Sequence, residues 1–192
     1  MSRKDIYVSV DIEADGPAPG IHSMLSLGAA AFELGSREPV ATYEAVLSPL
    51  EGATQHPETM KWWSKFPDAW EYSTTDPRAP EVVIPEFASW AKALPGSPVL
   101  VTYPTWDYMW LGYYLARFND NKTPFGIGSL DIKSLAMAVL HNKSFKATAK
   151  RKMPKRWFNG APAHTHKPLD DAIGQGVLLV NILTEHLGLP QE

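Results

Sequence analysis

The sequence predicts an α/β fold in which a mixed sheet is flanked by helices. The first fifty residues show three apolar segments separated by short turns, the pattern of an antiparallel meander. After residue 56 the apolar residues recur at helical spacing instead. Within that half, residues 98–104 form one short run that is apolar on both faces, as in a central strand. Strands followed by alternating helices and strands are typical of this architecture.

Alternation and turn residues mark the strands. Residues 5–13 alternate apolar and polar side chains, which places Asp11 and Glu13 on one face, about 7 Å apart along the strand. The next two strands are expected at 24–34 and 40–50. Residues 125–132 are ambiguous between a short strand and a turn, so the sheet has four or five strands on this evidence.

Prolines and helical periodicity mark the helices. Pro57 suits the first turn of one helix, and Gly188 and Pro190 follow the end of another. The segment 69–80 is predicted to be irregular, because its run of polar residues and prolines shows no clear period. Helices are expected at 57–66, 80–94, 106–118, 133–140 and 168–187.

Composition excludes several classes of function. The 192 residues contain no cysteine, so disulfides and thiolate chemistry are excluded and a metal site must use Asp, Glu or His. The net charge of −3 gives no general affinity for nucleic acids, so such binding needs a local patch. No run approaches the roughly 20 apolar residues of a membrane span, and the N-terminus lacks a signal-peptide apolar region. We expect a cytoplasmic protein without a membrane partner.

Acidic residues follow two of the predicted strands and open the last helix. Asp11 and Glu13 end the first strand, and Asp107 lies three residues past the strand 98–104. His166 and Asp171 flank the start of the last helix. Functional groups gather at the carboxyl ends of strands in open α/β sheets. If the first and fourth strands are parallel neighbours, these acids converge.

Each of these residues also has an ordinary structural interpretation. Asp11 and Glu13 could be the wet face of an amphipathic strand. Asp107, Asp170 and Asp171 could be acids that a helix N-terminus stabilises. The order of the whole set argues against these separate interpretations, because three segments supply the pattern together.

Three segments resemble the motifs of the DEDD 3′–5′ exonucleases: VDIEADG (10–16), TYPTWDYMWL (102–111) and HKPLDDA (166–172). The His-x4-Asp spacing resembles the His-containing, or DEDDh, subgroup, which includes proofreading exonuclease domains, RNase T and oligoribonuclease. The resemblance extends from residue 5 to about 187. It implies a ribonuclease-H-like, five-stranded sheet in the order 3-2-1-4-5 and one exonuclease domain over residues 1–192.

The resemblance also implies the site and the reaction. Its metal ligands would be Asp11, Glu13, Asp107 and Asp171, holding two Mg²⁺ or Mn²⁺ ions, with His166 as general base. His164 competes with His166 but lies off the family spacing. The reaction would be metal-dependent 3′–5′ hydrolysis of single-stranded RNA or DNA with a free 3′ end, releasing nucleoside 5′-monophosphates. The sequence leaves the oligomeric state open, and a homodimer is compatible with it.

Aromatic and basic residues supply the candidates for substrate binding. Aromatic residues from 62 to 70 recur at helical spacing, which favours core packing, but Met60 or Trp63 could instead line the groove and stack on a base, as could Trp106. Residues 142–160, here called the basic segment, hold seven Lys or Arg and no acid. Such a run repels itself and is predicted to be mobile. Phosphate contacts are expected from it, with Lys150, Arg151 and Lys152 as the candidates.

Three further functions stay open. One is a metal-dependent hydrolase of small phosphodiesters, which cleavage of dinucleotides but not of longer chains would favour. RNA is favoured over DNA only because no polymerase domain is attached, so a DNA exonuclease of repair or proofreading is an alternative. A nucleic-acid-binding module of the same fold that does not cleave is another. The presence of all five candidate positions argues against that module, since such proteins tend to lose a metal ligand.

Overall fold

The computed structural model describes residues 3–190; residues 1, 2, 191 and 192 of the predicted domain lie outside it. Its centre is a sheet of five strands: β1 (Asp5–Ala14), β2 (Met24–Phe32), β3 (Ala41–Val46), β4 (Ser97–Thr102) and β5 (Leu130–Asp131). Their order in the sheet is β3-β2-β1-β4-β5. β1 pairs with β2, and β2 with β3, antiparallel, whereas β1–β4 and β4–β5 are parallel. The predicted mixed sheet and its strand order are confirmed.

Six α-helices surround the sheet in the described residues: α1 (Pro57–Trp63), α2 (Pro67–Thr74), α3 (Pro80–Ala93), α4 (Trp106–Phe118), α5 (Ile132–Val139) and α6 (Pro168–Leu187). Two short 3₁₀ helices, Lys150–Lys152 and Lys155–Phe158, lie in the basic segment. None of the helices described here combines the length and hydrophobicity that a membrane span needs.

The prediction of an irregular segment at 69–80 is wrong over its first half, which belongs to α2. Pro67 occupies the first turn of this helix, where its missing N–H costs no hydrogen bond. The helix buries Ala69 and places the Trp70 ring 5.4 Å from that of Trp63. Tertiary packing therefore stabilises a helix whose sequence shows little periodicity.

Alternation along β1 separates the core from the site. Ile6, Val8, Val10 and Ile12 are buried in the main hydrophobic cluster, together with side chains of α3 and α4 such as Phe87 and Trp110. The intervening residues face the other side of the sheet, where α6 packs along β1 and β2. Asp11 and Glu13 therefore point toward α6.

A glycine allows α6 to lie close to the sheet. Gly28 of β2 is paired with Asp11 of β1. A Cβ atom at Gly28 would overlap the backbone of Pro168 and Leu169, in the first turn of α6. The missing side chain therefore brings the N-terminus of α6, with its acids, up to the end of β1.

Candidate active site

Three acidic side chains meet where β1 ends beneath the first turn of α6. Carboxylate oxygens of Asp11, Glu13 and Asp171 lie within 4.8 Å of one another. Strand alternation directs the first two toward α6, and the helix presents Asp171 from its opening turn. Residues more than 150 positions apart in the sequence thus form one set of oxygen ligands.

Asp107 adds a fourth carboxylate, and, beyond the effect of burial, its charge raises the pKa of both Asp11 and Glu13. It lies in the first turn of α4, directly after β4, which runs parallel to β1. Its Oδ1 accepts a hydrogen bond from the backbone N–H of Ile12, with an N–O distance of 3.4 Å. Ile12 is the residue between Asp11 and Glu13, so this bond holds Asp107 at the end of β1. Asp107 is only 4% exposed. We refer to Asp11, Glu13, Asp107 and Asp171 together as the carboxylate cluster.

Burial and mutual repulsion make the charged form of this cluster costly. Burial, followed by repulsion from the neighbouring carboxylates, raises the pKa of Asp11 and of Glu13 well above their usual values. Burial likewise raises the pKa of Asp107 to about 7, although backbone hydrogen bonds favour its charged form. A divalent cation would remove this repulsion.

The donor set fits a hard divalent cation. Mg²⁺ and Mn²⁺ prefer carboxylate and water oxygens, and the cluster supplies carboxylates from four positions. A buried amide lies beside them: Gln175 donates from Nε2 to Asp11 Oδ1 at 2.6 Å. Its Oε1 has no hydrogen-bond partner among the described residues. The carboxylate cluster therefore lacks compensating positive charge, and the amide oxygen beside it lacks a hydrogen-bond donor.

Sequence reasoning missed Gln175. It follows Asp171 by four residues in α6, and residues at that spacing share one face of a helix. That spacing is the signal that could have identified it, because a polar side chain one turn after a candidate ligand lies on the same face of the helix and can reach the same site.

Both candidate histidines lie at the cluster but in different ways. His164 Nδ1 is 2.8 Å from Asp171 Oδ2. The His166 ring lies against Phe66 and Trp62, with centroid distances of 4.4 and 5.0 Å, and its backbone N–H donates to Asp171 Oδ2. The structure therefore places His164, which the spacing disfavoured, in side-chain contact with the acid. Burial and the nearby His164 lower the pKa of His166.

Lys150 is the basic residue that acts on the cluster most directly. Its positive charge favours the charged forms of Asp11 and Asp107. The backbone N–H of Lys150 donates to the Tyr103 hydroxyl at 3.1 Å, and its Nζ lies 4.6 Å from the centre of that ring. Burial nevertheless lowers the pKa of its amine. Arg151 and Lys152, the neighbouring candidates, are exposed.

The aromatic candidates separate into core and surface. Trp63 is 1% exposed and its Nε1 donates to the Ala14 carbonyl at 3.0 Å, so its ring has no free face for a base. The structure thus favours the core-packing alternative for Trp63, which buttresses the end of β1. Trp106 is 36% exposed beside Asp107, and Met60 is half-buried on α1. These two stay candidates for a base contact.

Solved structures share this fold. The nuclease domain of 3′hExo, a DEDDh family member bound to rAMP, matches with a TM-score of 0.65 and 13% identity, over 98% of this chain and 96% of that chain. S. pombe Pop2p, in a Mg²⁺- and Mn²⁺-bound form, matches with a TM-score of 0.70 and 14% identity, over 94% and 84%. At these identities the likeness is one of fold.

Sequence comparisons identify the family. The 3′-5′ DNA exonuclease Cap18 of Escherichia coli is 33% identical over 144 residues, which is 72% of this chain and 71% of that protein. The model of the 3′-5′ exoribonuclease Rv2179c-like domain matches residues 6–183. With the predicted DEDDh motifs brought together at one end of a ribonuclease-H-like sheet, this chain belongs to the Rv2179c-like family of 3′–5′ exonucleases.

Proposed function

We propose that this exonuclease removes nucleoside 5′-monophosphates one at a time from the 3′ end of single-stranded nucleic acid, with RNA as the favoured substrate. The observation that carries the proposal is the convergence of four carboxylates from β1, α4 and α6 beside two histidines. Such a site suits phosphodiester hydrolysis, which needs an activated water and compensation of charge on the phosphate and on the leaving oxygen.

The carboxylate cluster is proposed to hold two Mg²⁺ or Mn²⁺ ions, which would activate the water and stabilise those charges. Gln175 fixes one oxygen of Asp11. The backbone N–H groups of Thr165 and His166 fix Asp171 at 3.1 Å each. The protein thus orients its carboxylates before any ligand is bound, which is how preorganised sites avoid reorganisation during a reaction.

His166 is proposed to accept the proton of the attacking water. A general base must be neutral at the working pH, and the lowered pKa of His166 meets this requirement. Its ring is held between α1 and His164, with a centroid distance to His164 of 4.2 Å.

The substrate strand is proposed to contact both the aromatic and the basic residues. Trp106 and Met60 can stack on bases without sequence preference, and Lys150, Arg151 and Lys152 offer positive charge to phosphates. The choice between ribose and deoxyribose in the substrate is left to experiment. The family model is described as an exoribonuclease and the E. coli relative as a DNA exonuclease, so DNA is the second candidate substrate.

Timed digestion of matched 5′-labelled RNA and DNA oligomers, single- and double-stranded, tests this proposal. With Mg²⁺ or Mn²⁺ we expect a ladder that shortens from the 3′ end, faster on single-stranded RNA, and no cleavage with chelator. Asp11→Asn should abolish cleavage while the circular dichroism spectrum stays native. Retained activity in Asp11→Asn, or in chelator, would contradict the metal assignment; faster digestion of DNA would reverse the sugar preference.

A further inference from the structure

A second group of ligand atoms shares Asp171 with the carboxylate cluster. Ring nitrogens of His164 and His166 and a carboxylate oxygen of Asp171 lie within 4.8 Å of one another. The two imidazole rings are neighbours, with a centroid distance of 4.2 Å, and His164 Nδ1 is 2.8 Å from Asp171 Oδ2. We refer to these three residues as the imidazole cluster. One acid therefore belongs to two sets of ligand atoms that differ in their chemistry.

The fold holds the imidazole cluster together. His166 has a φ of +57°, in the left-handed region that few residues other than glycine adopt, so the chain bends sharply before α6. The backbone N–H groups of Thr165 and His166 donate to the two oxygens of Asp171, at 3.1 Å each. The His166 ring is packed against the rings of Trp62 and Phe66. The acid and one imidazole are thus fixed in place by contacts within the protein.

The donor atoms of the imidazole cluster suit a different metal from those of the carboxylate cluster. Mg²⁺ prefers carboxylate and water oxygens, whereas imidazole nitrogen suits borderline metals such as Zn²⁺. Two imidazoles, one carboxylate and one water are a common tetrahedral set of zinc ligands. Trp62 and Phe66 cover one side of His166, which favours four-coordinate zinc over an octahedral metal. The His164 side chain is 60% exposed, so an ion can enter from solvent.

We propose that the imidazole cluster binds one Zn²⁺ ion and that this ion inhibits the enzyme. His164, His166 and Asp171 are its protein ligands, and a water completes the tetrahedron. The zinc site rests on these three side chains alone. The inhibition rests also on the exonuclease function proposed above, so the two parts of the proposal are tested separately.

The inhibition follows from the two residues that the site shares with catalysis. An oxygen of Asp171 that is bound to zinc is lost to the carboxylate cluster, which needs it for its own cations. A neutral imidazole has one free lone pair, so His166 cannot bind zinc and accept the proton of a water at the same time. Zinc thus withdraws a metal ligand and the proposed base together.

Two variants decide whether zinc binds at the imidazole cluster. His164→Asn removes one ligand and disturbs little packing, because the side chain is largely exposed. The matched control is His141→Asn, which removes an exposed imidazole outside the cluster. His141 has a φ of +49°, and asparagine adopts that region more readily than most residues. Both variants lose one histidine, and only the first loses a proposed ligand.

Binding is measured without reference to activity. Co²⁺ serves as the spectroscopic probe, because tetrahedral Co²⁺ with imidazole ligands absorbs strongly in the visible range and octahedral Co²⁺ with oxygen ligands absorbs weakly. We expect the wild type to show the strong bands and Zn²⁺ to abolish them. Competition with a chromophoric chelator then gives Kd for Zn²⁺, which His164→Asn should raise at least tenfold and His141→Asn less than twofold. Weak bands in the wild type, or an unchanged Kd in His164→Asn, would overturn the zinc site.

Inhibition is measured as the initial rate of oligomer digestion at saturating Mg²⁺ and increasing Zn²⁺, with each protein compared with its own rate in the absence of zinc. The wild type and His141→Asn should lose activity as the site fills, and His164→Asn should need at least tenfold more zinc for the same loss. Equal sensitivity of the three proteins would overturn the inhibition. A wild type that binds zinc but cleaves no oligomer in its absence would overturn the exonuclease proposal, and the inhibition with it, while the zinc site stands.

Discussion

The imidazole of His166 lies among three other rings, which sets its charge state. Trp62 of α1 and Phe66, which precedes α2, cover it, and the His164 ring is 4.2 Å away. This burial, with the second imidazole, lowers the pKa of His166 from its usual 6.5. His166 is therefore neutral at pH 7, the state in which it can accept a proton.

Replacement of each histidine tests which one is the base. We expect His166→Asn to lower kcat by about 10²- to 10⁴-fold, the range that general bases contribute. His164→Asn should lower it less than tenfold, since its contact with Asp171 only orients that acid. Single-turnover digestion of a labelled oligomer measures both. If His164→Asn lowers kcat more than His166→Asn does, the general base is His164.

The pH dependence of the wild type tests the same assignment. Protonation inactivates a base, so kcat/KM, which reports the groups of the free enzyme, should fall as the pH drops through the pKa of His166. Because that pKa is lowered, the midpoint of the acid limb should lie below 6.5. Initial rates between pH 5 and 8, at saturating Mn²⁺, give the midpoint. A midpoint above 6.5 would contradict the lowered pKa.

At the scale of elements, the contact between β2 and α6 positions the site. Gly28 leaves no space for a side chain beneath Pro168, and it is paired with Asp11. We expect Gly28→Ala to push the first turn of α6 away from β1, which separates Asp171 from Asp11. Activity should fall at least 100-fold, and Mn²⁺ should stabilise the variant less than the wild type in thermal unfolding.

Gly112 of α4 provides the matched control. It is exposed, and a Cβ atom there meets nothing within 4 Å. Gly112→Ala should keep full activity and stabilise the protein by about 0.5–1 kcal/mol, the usual gain of alanine in a helix. A Gly28→Ala protein with wild-type activity would show that the close approach is not needed.

The sequence predicts those elements whose patterns are local. Alternation around Asp11 and Glu13 predicts β1 and the face on which both acids lie. The sequence does not predict α2, because this helix is stabilised by contacts with Trp63 and its own residues show no clear helical period. Gly28 is one of several small residues in a buried strand, and only the position of α6 shows why it lacks a side chain.

The residues of the candidate site also divide into those that local sequence patterns predict and those that only the fold identifies. The acids follow from motif spacing, and Gln175 could have been predicted from its position one turn after Asp171, whereas Lys150 is identified by contacts made across the fold. Lys150 is one of three candidates among the seven cations of the basic segment, and the sequence does not rank it above Arg151 or Lys152. Its contact with Tyr103, 47 positions earlier, selects it.

At the scale of the whole molecule, the carboxylate cluster reduces the stability of the metal-free fold. The pKa of Asp107 rises from 3.8 to about 7, and those of Asp11 and Glu13 rise well above their usual values. Between about pH 4 and 7 the native state therefore keeps protons that the unfolded chain has released. Stability falls with rising pH wherever the native state binds more protons.

We therefore expect the free energy of unfolding in chelator to decrease between pH 5 and pH 8. Each extra proton that the native state holds lowers it by about 1.4 kcal/mol per pH unit, up to the pH at which the native state releases that proton. Asp107→Asn should lessen the decrease, because its amide is neutral at every pH and its Oδ1 can still accept from Ile12. Urea unfolding of both proteins isolates the Asp107 contribution from other titrations.

At pH 8, Mg²⁺ should restore stability to the wild type more than to the variant, since a cation compensates the charges that deprotonation exposes. A wild-type stability that is flat or rises with pH in chelator would mean that the four carboxylates do not oppose folding, and the electrostatic argument for a bound metal would fail with it.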